Sequence, residues 1–240
     1  GDRSFNDSAN EGIIRAHEEL GVEIKVLECQ RDASLYFNQL LFAAENYDVV
    51  FIVPGYEFEY EIPQITPHFP ETKFVYVDGI CEEPDVASII FSEHEGSFFA
   101  GALAALLTTR DDVPLIDPNH RLVGMVGGMD IPVIRNFYAG YNQGAKAADP
   151  SVSVEVVYAG TFDDPAKGKE FTFSLYDRGA DVVFAVASRT GQGVISAAED
   201  GKRYAIGVDS DQCFMAPNNM VGSMLKRVDN AIFVLIKQEI

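Results

Sequence analysis

Five short loops hold the residues best suited to gripping a ligand: Asp78-Gly79, Gly127-Gly128-Met129-Asp130, Gly160-Thr161-Phe162-Asp163, Ala187-Ser188-Arg189-Thr190-Gly191 and Asp209-Ser210-Asp211. Carboxylates and hydroxyls in them would accept from a ligand's donors, and charge-assisted hydrogen bonds are the stronger kind. The glycines let backbone approach closely, and Phe162 offers a flat apolar face. Asp209 and Asp211 are spaced like a metal pair, but no third oxygen ligand follows at suitable spacing. In Glu93-His94-Glu95, adjacent helical residues point in different directions, which also argues against a metal. There is no G-x-S-x-G elbow, H-E-x-x-H, P-loop or G-x-G-x-x-G. The four histidines fall outside these loops. The reading is a non-enzymatic binder with no metal and no cofactor.

The elements that must position those loops alternate. Val22–Leu27, Val49–Val53, Lys73–Val77 and Ala87–Phe91 read as strands, separated by helical stretches at Ser8–Leu20, Ala33–Glu45 and Tyr56–Thr66. Glu95–Thr109 is a further helix whose small residues suit close packing on a sheet. After the Pro-containing stretch Asp111–His120 the alternation restarts. Arg121–Val126, Val152–Ala159, Asp181–Val186, Arg203–Val208 and Val221–Leu225 read as strands, with helices at Ile134–Ala148, Ala166–Arg178, Gly193–Glu199 and Val228–Ile240. Strands spaced by helices imply βαβ units and parallel sheets, and such sheets bind ligands beyond the carboxyl ends of their strands. Two lobes facing each other across a cleft are expected. Residues 1–113 with 226–240 would form the N-terminal lobe, 119–225 the C-terminal lobe, and 114–118 the crossing. The chain opens on a loop-like segment where a strand is expected, so the first strand is expected to lie upstream of Gly1. The end at Ile240 also reads as early.

At 240 residues, 47% apolar and 23% charged, the chain is long enough for two α/β lobes. It holds no run of about 18 apolar residues and no leader peptide. A formal net charge of −19, without any Lys/Arg cluster, argues against a nucleic-acid partner. Cys29, Cys81 and Cys213 form no CxxC pair and read as buried, inert thiols.

Several segments, in order along almost the whole chain, resemble one family. Asp2-Arg3-Ser4-Phe5-Asn6-Asp7-Ser8 is similar to its D-[KR]-S-F-N-x-S. Phe91–Gly101 is similar to its F-x-x-x-E-G-x-F-L-A-G, Val123–Pro132 to V-G-x-x-G-G-M-D-I-P and Gly160–Pro165 to G-[ST]-[FW]-x-D-P. Thr190–Val194, Ile206–Gln212 and Ser223–Asp229 complete the series. The family is the basic membrane protein, or PnrA-like, group of solute-binding lipoproteins, which includes the purine nucleoside receptors of ABC transporters.

That resemblance implies the type I periplasmic-binding fold, with two α/β lobes of parallel sheet around a ligand cleft. It implies an extracytoplasmic location, in the periplasm or at the cell surface, with a lipid anchor in the full-length protein. The implied ligand is a purine nucleoside such as adenosine, guanosine or inosine. The implied partner is an ABC permease, with the binder a monomer. By motif position, Phe5 and Phe162 would stack on the base, Asn6 and Asp78 would hydrogen-bond, Asp209 would hold the ribose, and Lys226 would join them. Many members have Gly-Gly where this chain has Ser188-Arg189, so Ser188 enters the candidate set and the identity of the ligand stays open. Another nucleobase compound, riboflavin or a sugar, or a ligand-sensing role, remains as an alternative. The family's aspartate at the end of its first strand would precede Gly1.

Each residue also has a plainer reading. Phe5 would serve as a hydrophobic staple, Asn6 or Ser8 as a helix cap, Phe162 as a lid over the core, and Asp163 as the cap of the helix after Pro165. Lys226 would orient Asp209, donate to the ligand, or hold a hinge carboxylate.

Overall fold

The computed structural model describes residues 1–239; Ile240, the last residue of the expected N-terminal lobe, lies outside them. The described chain forms two compact units. The smaller comprises Ser8–Phe91 with the helix that starts at Val228, and the larger comprises Gly1–Asp7 with Ser92–Arg227.

In the smaller unit, β1 (Val49–Ile52), β2 (Lys73–Val77) and β3 (Val86–Ile89) pair in parallel in that order. Helix α1 (Phe5–Leu20) begins in the larger unit and continues into this one. Helix α2 (Ala33–Asn46) is capped by Asp32, whose carboxylate accepts from the Ser34 amide at 3.0 Å. The expected helix Tyr56–Thr66 is broken. A 3-10 turn at Gly55–Phe58, the one-turn α3 (Ile62–Ile65) and a 3-10 turn at Thr66–His68 replace it. Pro63 and Pro67 lack the N–H groups a longer helix would need. The expected strand Val22–Leu27 is absent too. Val22 and Ile24 alternate with exposed Glu23 and Lys25, but the segment joins no ladder.

The larger unit holds a five-stranded parallel sheet. Its strands are β4 (Leu122–Gly127), β5 (Ser153–Tyr158), β6 (Ala180–Val186), β7 (Tyr204–Asp209) and β8 (Met220–Leu225), in the order β5-β4-β6-β7-β8. Every residue of β4 and β6 is buried, as expected for central strands of a parallel sheet covered on both faces. Four helices flank the sheet: α4 (Glu93–Thr108), α5 (Pro132–Ala148), α6 (Pro165–Asp177) and α7 (Ser188–Gly201). Pro132 and Pro165 open α5 and α6 at the position where a missing N–H costs nothing. The cap of α6 is Asp164 rather than Asp163, and its carboxylate accepts from the Lys167 amide at 3.1 Å. Helix α8 (Val228–Glu239) returns to the smaller unit.

The division falls between Phe91 and Ser92, not at the Pro-rich 114–118. Helix α4 belongs with the second sheet because its small residues lie against α5, backbone to backbone. A Cβ on Gly101 would come 1.9 Å from the Tyr141 carbonyl oxygen, and one on Gly144 would come 1.8 Å from that of Phe98. The prolines of 111–120 lie in a loop of the larger unit, pinned by the buried Asp181. That carboxylate accepts from the Thr108 hydroxyl at 2.7 Å and the Asp117 amide at 3.1 Å. Cys29, Cys81 and Cys213 are free and half-buried rather than buried. Burial raises the Cys29 and Cys213 thiols above their ordinary range, which keeps them protonated. Among the described residues, no helix is long and apolar enough to cross a membrane.

Candidate ligand-binding site

The larger sheet reverses its strand order between β4 and β6, because β5 lies on one side of β4 and β6 on the other. Crevices at such switch points, beyond the carboxyl ends of the strands, are where open α/β sheets bind ligands. Six of the seven sequence-derived candidates lie in this unit: Phe5, Asn6, Phe162, Ser188, Asp209 and Lys226. Phe162, Ser188 and Lys226 follow the carboxyl ends of β5, β6 and β8, and Asp209 is the last residue of β7. Asp78 lies in the smaller unit, half-buried just past β2, where its amide donates to the Ile89 carbonyl at 2.9 Å.

The loops at the switch point are tied together. The Gly128 amide donates to Val186 at 2.9 Å, and the Thr190 amide to the Phe162 carbonyl at 3.1 Å. The Phe162 ring lies on Gly128 so closely that a Cβ there would come 2.1 Å from the ring. The ring is 7% exposed, which is close to the plainer reading of a lid.

The segment Gly1–Asp7 is seated on the same edge by contacts not evident from residue types. Asp2 is buried, and its two oxygens accept from the amides of Ser4 (3.0 Å), Asn6 (3.1 Å) and Asp7 (3.1 Å), the Asn6 side-chain amide (2.9 Å) and the Ser188 hydroxyl (2.8 Å). A carboxylate so placed satisfies the orphan amides and the positive end of α1. Asp2, not Asn6 or Ser8, therefore caps this helix. The Gln192 amide donates to the Asp2 carbonyl at 2.9 Å and the Gln212 amide to the Arg3 carbonyl at 2.8 Å. Buried Ser4 donates to Asp209, and that bond sets the next residue, Phe5, beside the end of β7.

Lys226 is 4% exposed and pairs at 3.0 Å with Glu93, itself 4% exposed. Its ammonium lies 5.4 Å from the centre of the Phe5 ring and 5.3 Å from that of Phe137, within cation–π range. Its backbone amide donates to the Asp209 carbonyl at 2.9 Å. The side chain thus meets a carboxylate two residues past the Phe91–Ser92 division. Through these contacts Phe5, Asn6, Ser188, Asp209 and Lys226 form one connected group. Phe162 adjoins it through Thr190.

Three candidates carry left-handed backbone: Asp78 (φ 77°), Ser188 (φ 49°) and Asp209 (φ 67°). Each sits just where a strand ends. Such conformations are costly for residues other than glycine and concentrate at functional sites. Asp2, Ser4, Gln192 and Gln212 are the site residues that residue types alone did not single out, and Glu93 drew notice only as a discounted metal ligand. Their signal was position, since all five lie inside the matched motif segments. Among the described residues, no cluster of His, Cys, Asp and Glu is arranged to hold a metal ion.

Comparison with known proteins adds the following. The family described as ABC transporter substrate-binding protein, PnrA-like, matches residues 1–240. Basic membrane protein A2 of Borrelia garinii is 30% identical over 237 residues, covering 96% of this chain and 67% of the relative. A lipoprotein of Pyrococcus abyssi is 32% identical over 252 residues, covering 99% of this chain and 60% of its own length. A crystal structure of an ABC transporter solute-binding protein from Aeropyrum pernix superposes with a TM-score of 0.88 at 30% identity, covering 99% of this chain and 67% of that one.

Proposed function

The chain belongs to the PnrA-like family of ABC transporter substrate-binding proteins, and from that premise we propose that it captures a purine nucleoside outside the cytoplasm and hands it to an ABC permease. The observation that carries the reading is the group formed by Phe5, Asp209 and Lys226. One segment brings a half-buried ring to a carboxylate, through Ser4, and to a buried ammonium. A purine nucleoside asks for that combination: a flat π face, vicinal hydroxyls that a carboxylate can accept from, and a rim of donors and acceptors.

In this reading the base stacks on Phe5, and Phe162 supplies the second ring after turning off Gly128 far enough to admit it. Base–aromatic stacking contributes about 1–3 kcal/mol per base. Asn6 addresses the base edge, Asp209 takes the ribose hydroxyls, and Ser188 adds a hydrogen bond. No bond is made or broken. The family works outside the cytoplasm; a lipid anchor on the full-length protein is supported by relatives named as lipoproteins. The binder acts as a monomer.

The test is a thermal-shift and calorimetry panel of nucleosides, free bases, flavins and sugars. Stabilisation by at least one purine nucleoside, weakened about tenfold or more by Phe162→Ala, supports the proposal. A panel in which only flavins or sugars bind, or nothing does, overturns it.

A further inference from the structure

We propose that Asp2 is a positioning residue for ligand recognition, which orients the Asn6 amide and locks the first turn of α1 to the first residue of α7. The inference rests on the proposal that Asn6 touches the ligand, and it deepens that proposal.

A carboxylate of this kind accepts but does not donate. The Asn6 amide reaches it at 2.9 Å, so the group facing Asp2 is the NH2 and not the carbonyl oxygen. One N–H is committed there. The other N–H and the carbonyl oxygen of the same amide remain, on a residue that is otherwise exposed. Asn6 therefore offers a ligand one donor and one adjacent acceptor. An edge that pairs an acceptor with a donor, such as the N7 and 6-amino group of adenine, fits both. An edge with two adjacent acceptors fits only one. Without Asp2 the amide is free to flip, and that distinction is lost.

The same oxygen that holds Asn6 also accepts from Ser188 at 2.8 Å, and the other accepts from the Ser4 and Asp7 amides. Gln192, on α7, donates to the Asp2 carbonyl. One side chain thus fixes Asn6 and Ser188 relative to each other. Since these candidates lie 182 positions apart in the chain, Asp2 is the residue through which they keep a common geometry.

The experiment has two arms. In the first, side-chain amide signals of Asn6 are followed by NMR on protein labelled with 15N-asparagine and assigned with Asn6→Gln. In the native protein the two amide protons of Asn6 should be well separated and slow to exchange. In Asp2→Asn they should converge and exchange on the order of tenfold faster, as expected for loss of a hydrogen bond to a charged acceptor. Unchanged signals in Asp2→Asn overturn the inference. This arm needs no ligand, so it stands even if no nucleoside binds.

The second arm is a double-mutant cycle read with adenosine. Asp2→Asn should weaken binding about fivefold to tenfold in the native background and less than twofold in an Asn6→Ala background. Equal losses in both backgrounds would show that Asp2 does not act through Asn6. Asp2→Ala and thermal melts accompany each variant, so that a general loss of folding is recognised as such. If another purine nucleoside binds and adenosine does not, the cycle is read with that one; if no purine nucleoside binds the native protein, the functional proposal falls while the first arm still decides the role of Asp2.

Discussion

Replacing Glu93 with glutamine should destabilise the protein far more than one exposed ion pair would. Glu93 and Lys226 are each 4% exposed and 3.0 Å apart. Removing one partner of a buried pair costs about 3–5 kcal/mol, because the other charge stays out of water. Glutamine keeps the size and one acceptor, and the Phe5 and Phe137 rings continue to face the ammonium. The loss should therefore fall near the lower end, about 3 kcal/mol. For a chain of this length that corresponds to a fall in Tm of roughly 6–12 °C. Calorimetry or urea unfolding reads it directly. The sharper outcome is the double variant Glu93→Gln/Lys226→Met, in which neither member of the pair is charged. It should be more stable than Glu93→Gln alone, since a buried pair exchanged for neutral groups is often close to neutral in stability. If the two losses simply add, or if Glu93→Gln melts within about 1 °C of the native protein, the pair does not carry the load assigned to it.

Other outcomes follow from the same geometry. Asp209→Asn should weaken ribonucleosides at least fivefold more than the matching free bases, as read by calorimetry; equal losses would remove Asp209 from the ribose. Gly144→Ala should cost about 3 kcal/mol or more, because its methyl would meet the Phe98 carbonyl and force α4 from α5; a melting curve like the native one would contradict that contact. Burial raises the Asp181 carboxyl above its ordinary value of 3.8. The folded state then binds more protons than the unfolded one over that range, so this group's contribution to stability declines as pH rises above 3.8. Asp181→Asn should compare more favourably with the native protein at neutral pH than at pH 4. The opposite trend across a series of urea melts would reverse the assignment.

The parallel sheets were legible because βα alternation leaves a strong pattern, and eight of the nine expected strands form. Val22–Leu27 shows that an alternating pattern specifies a face but not a partner. The domain division was misplaced for a related reason. Prolines at 114 and 118 mark a loop, but whether a loop crosses between units depends on which helix packs where. The glycines of α4 and α5 decide that, and from sequence alone α4 suits a sheet as well as another helix. At the site, motif position singled out the ring, amide and carboxylates. The bonds that hold them were not legible, because Asp2 meets Ser188 and Ser4 meets Asp209 across most of the chain.

Those separations bear on how the molecule assembles. The contacts of Gly1–Asp7 span 186 residues to Ser188, 205 to Asp209 and 209 between Arg3 and Gln212. A loop of that size costs entropy to close before any contact rewards it, and each doubling of length adds about 0.6 kcal/mol. The N-terminal segment therefore has nothing to settle on until β6, β7 and the start of α7 have formed. Contacts of long sequence separation form slowly. The last step of folding should be the seating of this segment, so a refolding population that has complete sheets but does not yet recognise a ligand is the intermediate to look for.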